Sequence, residues 1–255
     1  MLLAQDTDVK PFAAQRFRFN WKTGAWLLAL FSIARFALVL HANVTRSYQV
    51  VALIFVAMIV LPFLVLKRAG RRKIGLVWPR RWGSVLLGGT SGVLSCTALF
   101  YLTTSFFGLG ERNSLAYISR TYGNIAQVLT DQNRLTYFLI FTIPSLLFSP
   151  IGEEIFYRGL VHECFAGSLG NRKATLIDSA AFALVHVAHF GLIYAGPGAG
   201  WRFLAGPALL WVAFLFGACL LFSVARRKSG SVWGAVAAHA LFNLTMNYFI
   251  FYHLL

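Results

Sequence analysis

The sequence predicts an all-α, polytopic membrane protein, a bundle of about seven transmembrane helices whose N-terminus is cytoplasmic. Hydrophobic residues make up 58% of the 255 residues and charged residues only 12%, and the mean hydropathy is +0.67. A soluble globular protein usually carries about 25% charged residues. A chain with half that fraction could not cover its surface with charge, so the composition excludes a soluble enzyme, a disordered chain and a coiled coil.

Seven apolar segments are long enough to cross a hydrocarbon core, which takes about 20 helical residues. They are residues 21–40, 49–66, 84–107, 135–151, 174–194, 203–225 and 231–251. The first has a basic flank like that of a signal peptide, but no small-residue cleavage site follows, so we predict a retained helix. Pro144 and Pro150 predict a kink or a break near the end of the fourth.

The distribution of lysine and arginine orients this bundle. With the N-terminus in the cytoplasm, sixteen of the 23 Lys and Arg residues fall in inner segments and five in outer loops, while Arg35 and Arg158 fall within apolar stretches. This is a strong positive-inside bias. Residues 74–83, with Trp78 and Trp82, are predicted to lie along the inner interface as an amphipathic segment. Basic clusters between apolar runs favour anionic lipid headgroups as partners and disfavour nucleic acid.

Four of the eight acidic residues fall between positions 153 and 178. A carboxylate within a membrane helix is costly to bury, so it indicates function by default. Glu154 and Arg158 are four residues apart, in the favourable order for a helical ion pair. Glu153 points about 100° away from Glu154 on a helix, so the doublet can divide its roles. An interfacial ion pair that merely ends the span is the alternative, and Glu163 and Asp178 are predicted to be interfacial charges.

Polar side chains also interrupt two later spans. In the fifth, His189 follows His186 on nearly the same face. In the seventh, three polar residues form one stripe at positions i, i+4 and i+8: His239, Asn243 and Asn247. At about 1.5 Å of rise per residue, the two histidine motifs and Glu153 reach similar depths. They could therefore line one cavity in the inner half of the bilayer, although each histidine could instead be a hydrogen-bonded packing residue.

Three motifs in this order, EExxxR, FxxxH and HxxxN, each on its own apolar segment, resemble the CAAX-protease and bacteriocin-processing (CPBP, Abi) family. One branch of that family is the Ras-converting-enzyme type of CAAX prenyl endoprotease. The motifs read here Glu153-Glu154-Ile155-Phe156-Tyr157-Arg158, Phe182-Ala183-Leu184-Val185-His186 and His239-Ala240-Leu241-Phe242-Asn243. The resemblance covers about residues 135–250. Each motif fixes two or three residues, so the joint occurrence carries the signal.

The resemblance implies an intramembrane, glutamic-type endopeptidase that needs no cofactor and no catalytic metal. It implies that Glu153 activates a water molecule, that His186 holds and polarises this water, and that His239 and Asn243 stabilise the oxyanion. Glu154 and Arg158 would lie next to these residues and orient them. Further candidate helpers are His189, Asn247, Tyr157 and Phe182. The implied substrate is a membrane-embedded or lipid-anchored peptide or protein, with a prenylated C-terminus, a leader peptide or a sorting peptide.

Three alternatives stay open from the residues themselves. A zinc peptidase would lack the HExxH motif, but ligands from different helices could still assemble. The cysteines Cys96, Cys164 and Cys219 have no CxxC spacing and predict packed thiols. A transporter would predict polar residues and broken helices in both halves of the chain, whereas the acids and histidines concentrate in the second. The third alternative is a catalytically silent scaffold or immunity protein on the same fold.

The chain is predicted to form one integrated domain in two parts. Residues 1–134 would supply N-terminal membrane helices, the basic interfacial loop and an outer loop, and residues 135–255 would form the catalytic core. Short loops and a compact size suggest a multi-pass protein of a bacterial plasma membrane.

Overall fold

A computed structural model describes residues 8–255 and shows an all-α helix bundle, so the predicted fold class is confirmed. The first seven residues of the predicted N-terminal part lie outside the described residues. The helices are α1 (Trp21–Thr45), α2 (Ala52–Val65), α3 (Arg68–Lys73), α4 (Trp82–Phe107), α5 (Ser114–Ser119), α6 (Ile125–Val128), α7 (Arg134–Glu153), α8 (His162–Leu169), α9 (Asn171–Val185), α10 (Ala205–Ser229) and α11 (Val232–Phe249).

Shorter elements join these helices. A π-helix, Glu154–Val161, connects α7 to α8, and a second, Ile250–Leu254, follows α11. Two 3₁₀ turns span Arg120–Tyr122 and His186–Ala188. A small antiparallel hairpin of β1 (Leu192–Tyr194) and β2 (Trp201–Phe203) pairs Leu192 with Phe203.

Within residues 8–255, four helical stretches are long and apolar enough to cross a membrane: α1, α4, the continuous stretch Arg134–Leu169, and α10. The helix α2 is apolar but has only 14 residues. The helices α9 and α11 do not meet this measure, because α9 has 15 residues and α11 carries polar groups at three positions. The chain is an integral membrane protein, in which α9 carries Phe182 of the second motif and α11 carries the whole of the third.

The fourth span does not end where the sequence predicts. It continues without a break from α7 through the π-helix into α8, over 36 residues to Leu169. Pro144 and Pro150 lie inside α7, and the expected break is replaced by the π-helix that begins four residues after Pro150. The stretch ends at Gly170, whose φ of +81° is a left-handed conformation that favours glycine. π-Helical turns occur frequently at functional sites.

The fifth span differs from the predicted single helix over residues 174–194. The helix α9 starts after Gly170, ends at Val185, and gives way to a 3₁₀ turn and the hairpin. Gly191, with a φ of +116°, makes the turn between them. The His186 carbonyl oxygen accepts from the backbone amide of His189 at 3.0 Å and also from Trp211 Nε1 at 3.0 Å, so the end of this segment is tied to α10.

The segments assigned to the inner side meet at one end of the bundle. Val9 pairs with Leu66 in an isolated bridge, and the Arg80 amide donates to the Ser229 carbonyl oxygen at 3.0 Å. Residues 74–81 are not helical. Ile74 is fully buried, and the Trp78 side chain is exposed near the start of α4. Residues 74–81 of the predicted interfacial segment therefore form an irregular connection with an exposed tryptophan, and Trp82 already belongs to α4.

The centre of the bundle is α11, which packs against α4, α7 and α10. Glycines of α4 allow the approach to α11: a Cβ placed on Gly92 would lie 1.9 Å from the Ala238 carbonyl oxygen, and one on Gly88 would lie 3.1 Å from the Gly234 carbonyl oxygen. Small residues at such contacts let membrane helices pack backbone to backbone. This contact fixes the position of the helix that carries the third motif.

Replacing Gly92 by alanine should force α4 away from α11 and lower stability by about 1–3 kcal/mol, the usual cost of overpacking. The measurement is thermal unfolding of the purified protein in detergent. Gly83→Ala, on the same helix and with nothing within 4 Å of the added Cβ, is the matched control and should leave the melting temperature unchanged or slightly raised. Equal melting temperatures for the two variants would contradict the close contact.

Candidate active site

Side chains from four parts of the chain meet around Glu153. Its Oε1 atom lies 2.6 Å from Arg35 Nη1, a contact between two buried side chains. Its Oε2 atom accepts a hydrogen bond from Ser149 Oγ at 2.6 Å and lies 3.7 Å from His239 Nε2. The two carboxylate oxygens of Glu153 therefore face different partners, a guanidinium on one side and an imidazole on the other.

Arg35 reaches this site because of the periodicity of α1. Asn20 caps the helix by accepting from the Thr23 amide at 3.0 Å. The buried stripe of α1 then includes Phe31, Arg35 and Val39, spaced four residues apart, so the arginine points into the bundle and not to the outside. Its side chain is 2% exposed.

The guanidinium of Arg35 also contacts both histidines of the fifth span. Its Nη2 atom lies 3.0 Å from His186 Nε2 and 3.4 Å from His189 Nε2. Because a guanidinium can only donate, each Nε2 must accept. His186 reaches Glu153 through Arg35, and no direct contact between the two is recorded.

The tautomer of His186 follows from its other nitrogen. Nδ1 lies 2.6 Å from the Phe182 carbonyl oxygen, so Nδ1 carries the proton and donates it. His189 fits the same tautomer, with the proton on Nδ1, which lies 3.1 Å from the Tyr48 hydroxyl, and the lone pair on Nε2, which faces Arg35. Burial raises the pKa of the Tyr48 phenol, which lies in the loop after α1, so that this hydroxyl stays neutral.

His239 lies between the two carboxylates of the doublet. Its Nδ1 atom is 2.9 Å from Glu154 Oε1, and its Nε2 atom faces Glu153 Oε2. Phe222 stacks on the ring with centroids 5.4 Å apart and an interplanar angle of 14°. A carboxylate on Nδ1 is a common way to fix the orientation of an imidazole and to direct Nε2 towards a reacting group.

A second set of charges continues from Glu154 along the π-helix to α8 and α9. Arg158 Nη1 donates to Glu154 Oε1 at 3.2 Å, and Arg158 Nε lies 3.8 Å from Asp178 Oδ1. His162 Nδ1 lies 2.8 Å from Asp178 Oδ2. The prediction that Asp178 is an interfacial charge is therefore wrong: the side chain is fully buried, because two basic groups compensate it. Glu163 instead pairs with Arg226 at 3.1 Å.

Phe182 is the apolar centre of the cluster. Its ring lies 4.3 Å from the His186 ring and 5.7 Å from the His239 ring. The guanidinium carbons of Arg158 and Arg35 lie 4.7 and 5.7 Å from the same ring centroid. Tyr157, fully buried, packs edge-on against it at 5.3 Å. The first residue of the FxxxH motif thus lies against both arginines and both motif histidines of the site.

The amides of the seventh span lie farther out along α7. Asn243 Nδ2 donates to the Ser145 carbonyl oxygen at 3.2 Å, two helical turns before Glu153. Asn247 Nδ2 donates to Ser145 Oγ at 2.8 Å and accepts from the Tyr122 hydroxyl at 2.5 Å. The structure therefore links Glu153, His239, Glu154 and Arg158 by successive contacts, whereas Asn243 of α11 donates to the backbone of α7 two turns before Glu153.

Metal-binding geometry is absent from the described part of the chain. No three His, Cys, Asp or Glu side chains of residues 8–255 are grouped so that they could hold a metal ion. The three cysteines are buried and free, as predicted. Between Glu153 and His186, the space that a shared ligand would need is filled by the Arg35 guanidinium.

This arrangement suits proton transfer. One carboxylate oxygen is fixed by a permanent cation, and the other faces a hydroxyl and an imidazole in a buried setting. In such a setting, electrostatic interactions are stronger than in water. A carboxylate that alternates between proton acceptor and donor is the usual requirement for hydrolysis by general acid–base catalysis.

The motifs left two groups of this site undetected, Arg35 and Ser149. A signal for Arg35 exists, because it is the only Lys, Arg, Asp or Glu between Lys22 and Arg46, and a charge within a membrane helix indicates function by default. Its partner could not be found, since 118 positions of sequence separate Arg35 from Glu153. Ser149 could have been found from its i−4 spacing to Glu153.

Residues 135–245 match the model of the family described as Type II CAAX prenyl endopeptidase Rce1-like. The resemblance inferred from the three motifs is therefore confirmed over these residues. The match supports a CAAX-type membrane endopeptidase in general terms, and thus a hydrolase that acts on a membrane-associated peptide. No curated protein and no solved structure matches the chain.

Replacing Arg158 by methionine should destabilise the fold by about 3–5 kcal/mol, because it leaves two buried carboxylates without their shared cation. Arg202→Met is the matched control. Arg202 also pairs with a glutamate at 3.1 Å, but half of its side chain is exposed, so its loss should cost about 1 kcal/mol or less. Thermal unfolding in detergent measures both. Similar melting temperatures would show that burial of the Arg158 pair does not matter.

Proposed function

We propose that this chain, whose residues 135–245 match the Rce1-like family, hydrolyses a peptide bond of a membrane-embedded or lipid-anchored substrate with Glu153 as general base. One observation carries the proposal: Glu153 Oε2 faces His239 Nε2 at 3.7 Å within a buried cluster. The functional unit is the whole chain. Residues 1–134 supply Arg35, and residues 135–255 supply the motifs.

The reaction needs one water molecule and no net change of protonation. Glu153 takes a proton from water as the water oxygen bonds to the substrate carbonyl carbon. The resulting tetrahedral intermediate carries its negative charge on the former carbonyl oxygen. Glu153 then returns the proton to the amide nitrogen as the carbon–nitrogen bond breaks, which yields a carboxylic acid and an amine.

His239 and Asn243 stabilise the charge that develops on the carbonyl oxygen in this proposal. The support is their position on one face of α11, one turn apart, with His239 fixed by Glu154 and directed at Glu153. Preorganised donors of this kind contribute about 2.7–4 kcal/mol each in other hydrolases. His186, the residue expected to hold and polarise the water, has both ring nitrogens engaged, by the Phe182 carbonyl and by Arg35, so its part in this proposal is to hold the Arg35 guanidinium beside Glu153. Glu154 fixes His239 through its Nδ1 atom, and Arg158 in turn donates to Glu154.

The proposed mechanism uses no metal ion. The support is chemical: His186 offers neither nitrogen to a cation, because Nδ1 faces a carbonyl and Nε2 already accepts from a guanidinium. Glu153 likewise has one oxygen paired with Arg35. A metal ion at this place would meet a fixed positive charge within the same cluster.

Anionic lipid headgroups are the proposed partners on the inner side. A groove at the start of α1 is lined by Arg16, Arg18 and Lys22 beside the apolar side chains of Trp26 and Leu30. Basic residues at the surface of a membrane attract anionic lipids by about 1 kcal/mol each. The proposed location is a bacterial plasma membrane, on the basis of the short loops and compact size, and the substrate is a prenylated C-terminus, a leader peptide or a sorting peptide.

Glu153→Gln should abolish turnover, because an amide cannot accept the proton from water. Asn243→Ala should retain residual activity, reduced by about 10²–10³-fold. The measurement is comparative peptidomics of membranes that carry the wild type or each variant. A substrate peptide should persist uncleaved in the Glu153→Gln membranes. Glu163→Gln is the control, because Glu163 pairs with Arg226 and not with the cluster. Wild-type peptide patterns in folded Glu153→Gln would refute the proposal.

Chelators should leave the activity of the purified enzyme unchanged, because the proposed chemistry runs through side chains. The test combines a cleavage assay, with and without chelator, with elemental analysis of the protein. Loss of cleavage on chelation, restored by added zinc, would show instead that a metal-dependent mechanism operates.

A further inference from the structure

We propose that Arg35 is a positioning residue for peptide hydrolysis: its guanidinium fixes Glu153 and His186 together and leaves Glu153 Oε2 as the oxygen that accepts the proton. Arg35 lies on α1, outside the segment 135–245 that the family model matches. The inference rests on the proposed function, since it assigns a part in the same reaction to a residue that the motifs do not include.

The first step is the bridging geometry. Arg35 uses two different nitrogens, Nη1 at 2.6 Å from Glu153 Oε1 and Nη2 at 3.0 Å from His186 Nε2. These nitrogens belong to one rigid plane, so the guanidinium sets the separation between the carboxylate and the imidazole. A lysine could neutralise Glu153, but its single nitrogen could not hold both groups with the same directionality.

The second step concerns which oxygen of Glu153 is left for chemistry. Arg35 engages Oε1, and Ser149 Oγ donates to Oε2 at 2.6 Å. These two contacts together prevent rotation of the carboxylate. Oε2 is therefore the oxygen that faces His239 Nε2, on the side where the seventh span carries its polar stripe.

The third step is the tautomer of His186. A guanidinium donates and never accepts, so it selects the form of His186 that has a lone pair on Nε2 and a proton on Nδ1. The Phe182 carbonyl oxygen, 2.6 Å from Nδ1, requires the same form. Arg35 and the Phe182 carbonyl thus require the same tautomer of His186.

The guanidinium is itself held in place. It lies between the rings of Phe55 and Phe182, with centroids 5.6 and 5.7 Å from the guanidinium carbon. A cation between two aromatic faces in a buried site is stabilised by their quadrupoles. The purely structural alternative is a buried ion pair that only compensates Glu153, and the two roles differ in their kinetic consequences.

The kinetic test compares Arg35→Gln, Arg35→Lys and wild type in the cleavage assay. Arg35→Gln should lower kcat about 10²-fold, the order expected when a reacting group is misplaced by about 1 Å, while KM stays nearly constant. The kcat of Arg35→Lys should fall between those of Arg35→Gln and wild type, because lysine retains the positive charge but not the planar guanidinium with its two donor nitrogens. Arg46→Gln, an exposed arginine at the end of the same helix, is the control and should behave as wild type.

The split between kcat and KM, with partial rescue by Arg35→Lys, is the readout that a purely structural role of Arg35 would not move.

A stability cycle separates this inference from the proposed function. Arg35→Gln leaves a buried carboxylate without its cation and should lower the melting temperature, whereas the double variant Arg35→Gln/Glu153→Gln removes both charges and should recover most of it. Additive losses would overturn the pairing even if no peptide is ever cleaved. A folded Arg35→Gln protein with wild-type kcat would overturn the positioning role while the peptidase assignment stands. Cleavage by neither wild type nor Arg46→Gln would reject the peptidase assignment alone.

Discussion

The structure depends on the compensation of charges that the bundle buries. Glu153, Glu154 and Asp178 are fully buried, and Arg35 and Arg158 lie among them. A single unpaired charge in such a place costs several kcal/mol, so each carboxylate must have a cation or an imidazole within reach. Arg35 serves Glu153, and Arg158 serves Glu154 and Asp178. Because these partners come from α1, the stretch from α7 to α8, and α9, the charges constrain how the helices assemble.

Two irregular segments place these groups at a common point. The π-helix starts one residue after Glu153, so the doublet stands where the regular helix of α7 changes its winding. The end of α9 at Val185 places His186 in a 3₁₀ turn with its carbonyl bonded to Trp211. Regular helices present side chains at fixed intervals of about 100°. The departures here let an acid and an imidazole on different helices approach the same guanidinium.

The family match and the geometry of the site support different parts of the functional conclusion. The match over residues 135–245 covers the three motifs and supports the general class of reaction. The surroundings of Glu153 include α1, which lies outside that segment. Tyr122, in the 3₁₀ turn before α6, donates to the Asn247 side chain beside α7. The proposed active centre is thus a property of the whole bundle, and variants in the N-terminal part test it as directly as variants in the motifs.

The sequence by itself determined the fold class, the approximate starts of the seven predicted spans and the motif residues, because hydropathy and residue spacing are local properties of the chain. The i,i+4 pair of Glu154 and Arg158 was predictable for the same reason. Only the tertiary structure decided that Arg35 pairs with Glu153, that Asp178 is buried beside Arg158, and that His186 reaches Glu153 through a guanidinium. These contacts join residues more than a hundred positions apart or on helices whose rotation is set by packing. Spacing along one helix carries no information about the rotation of its neighbour. A charge inside a span therefore indicates that a partner must exist, but it does not indicate which residue that partner is.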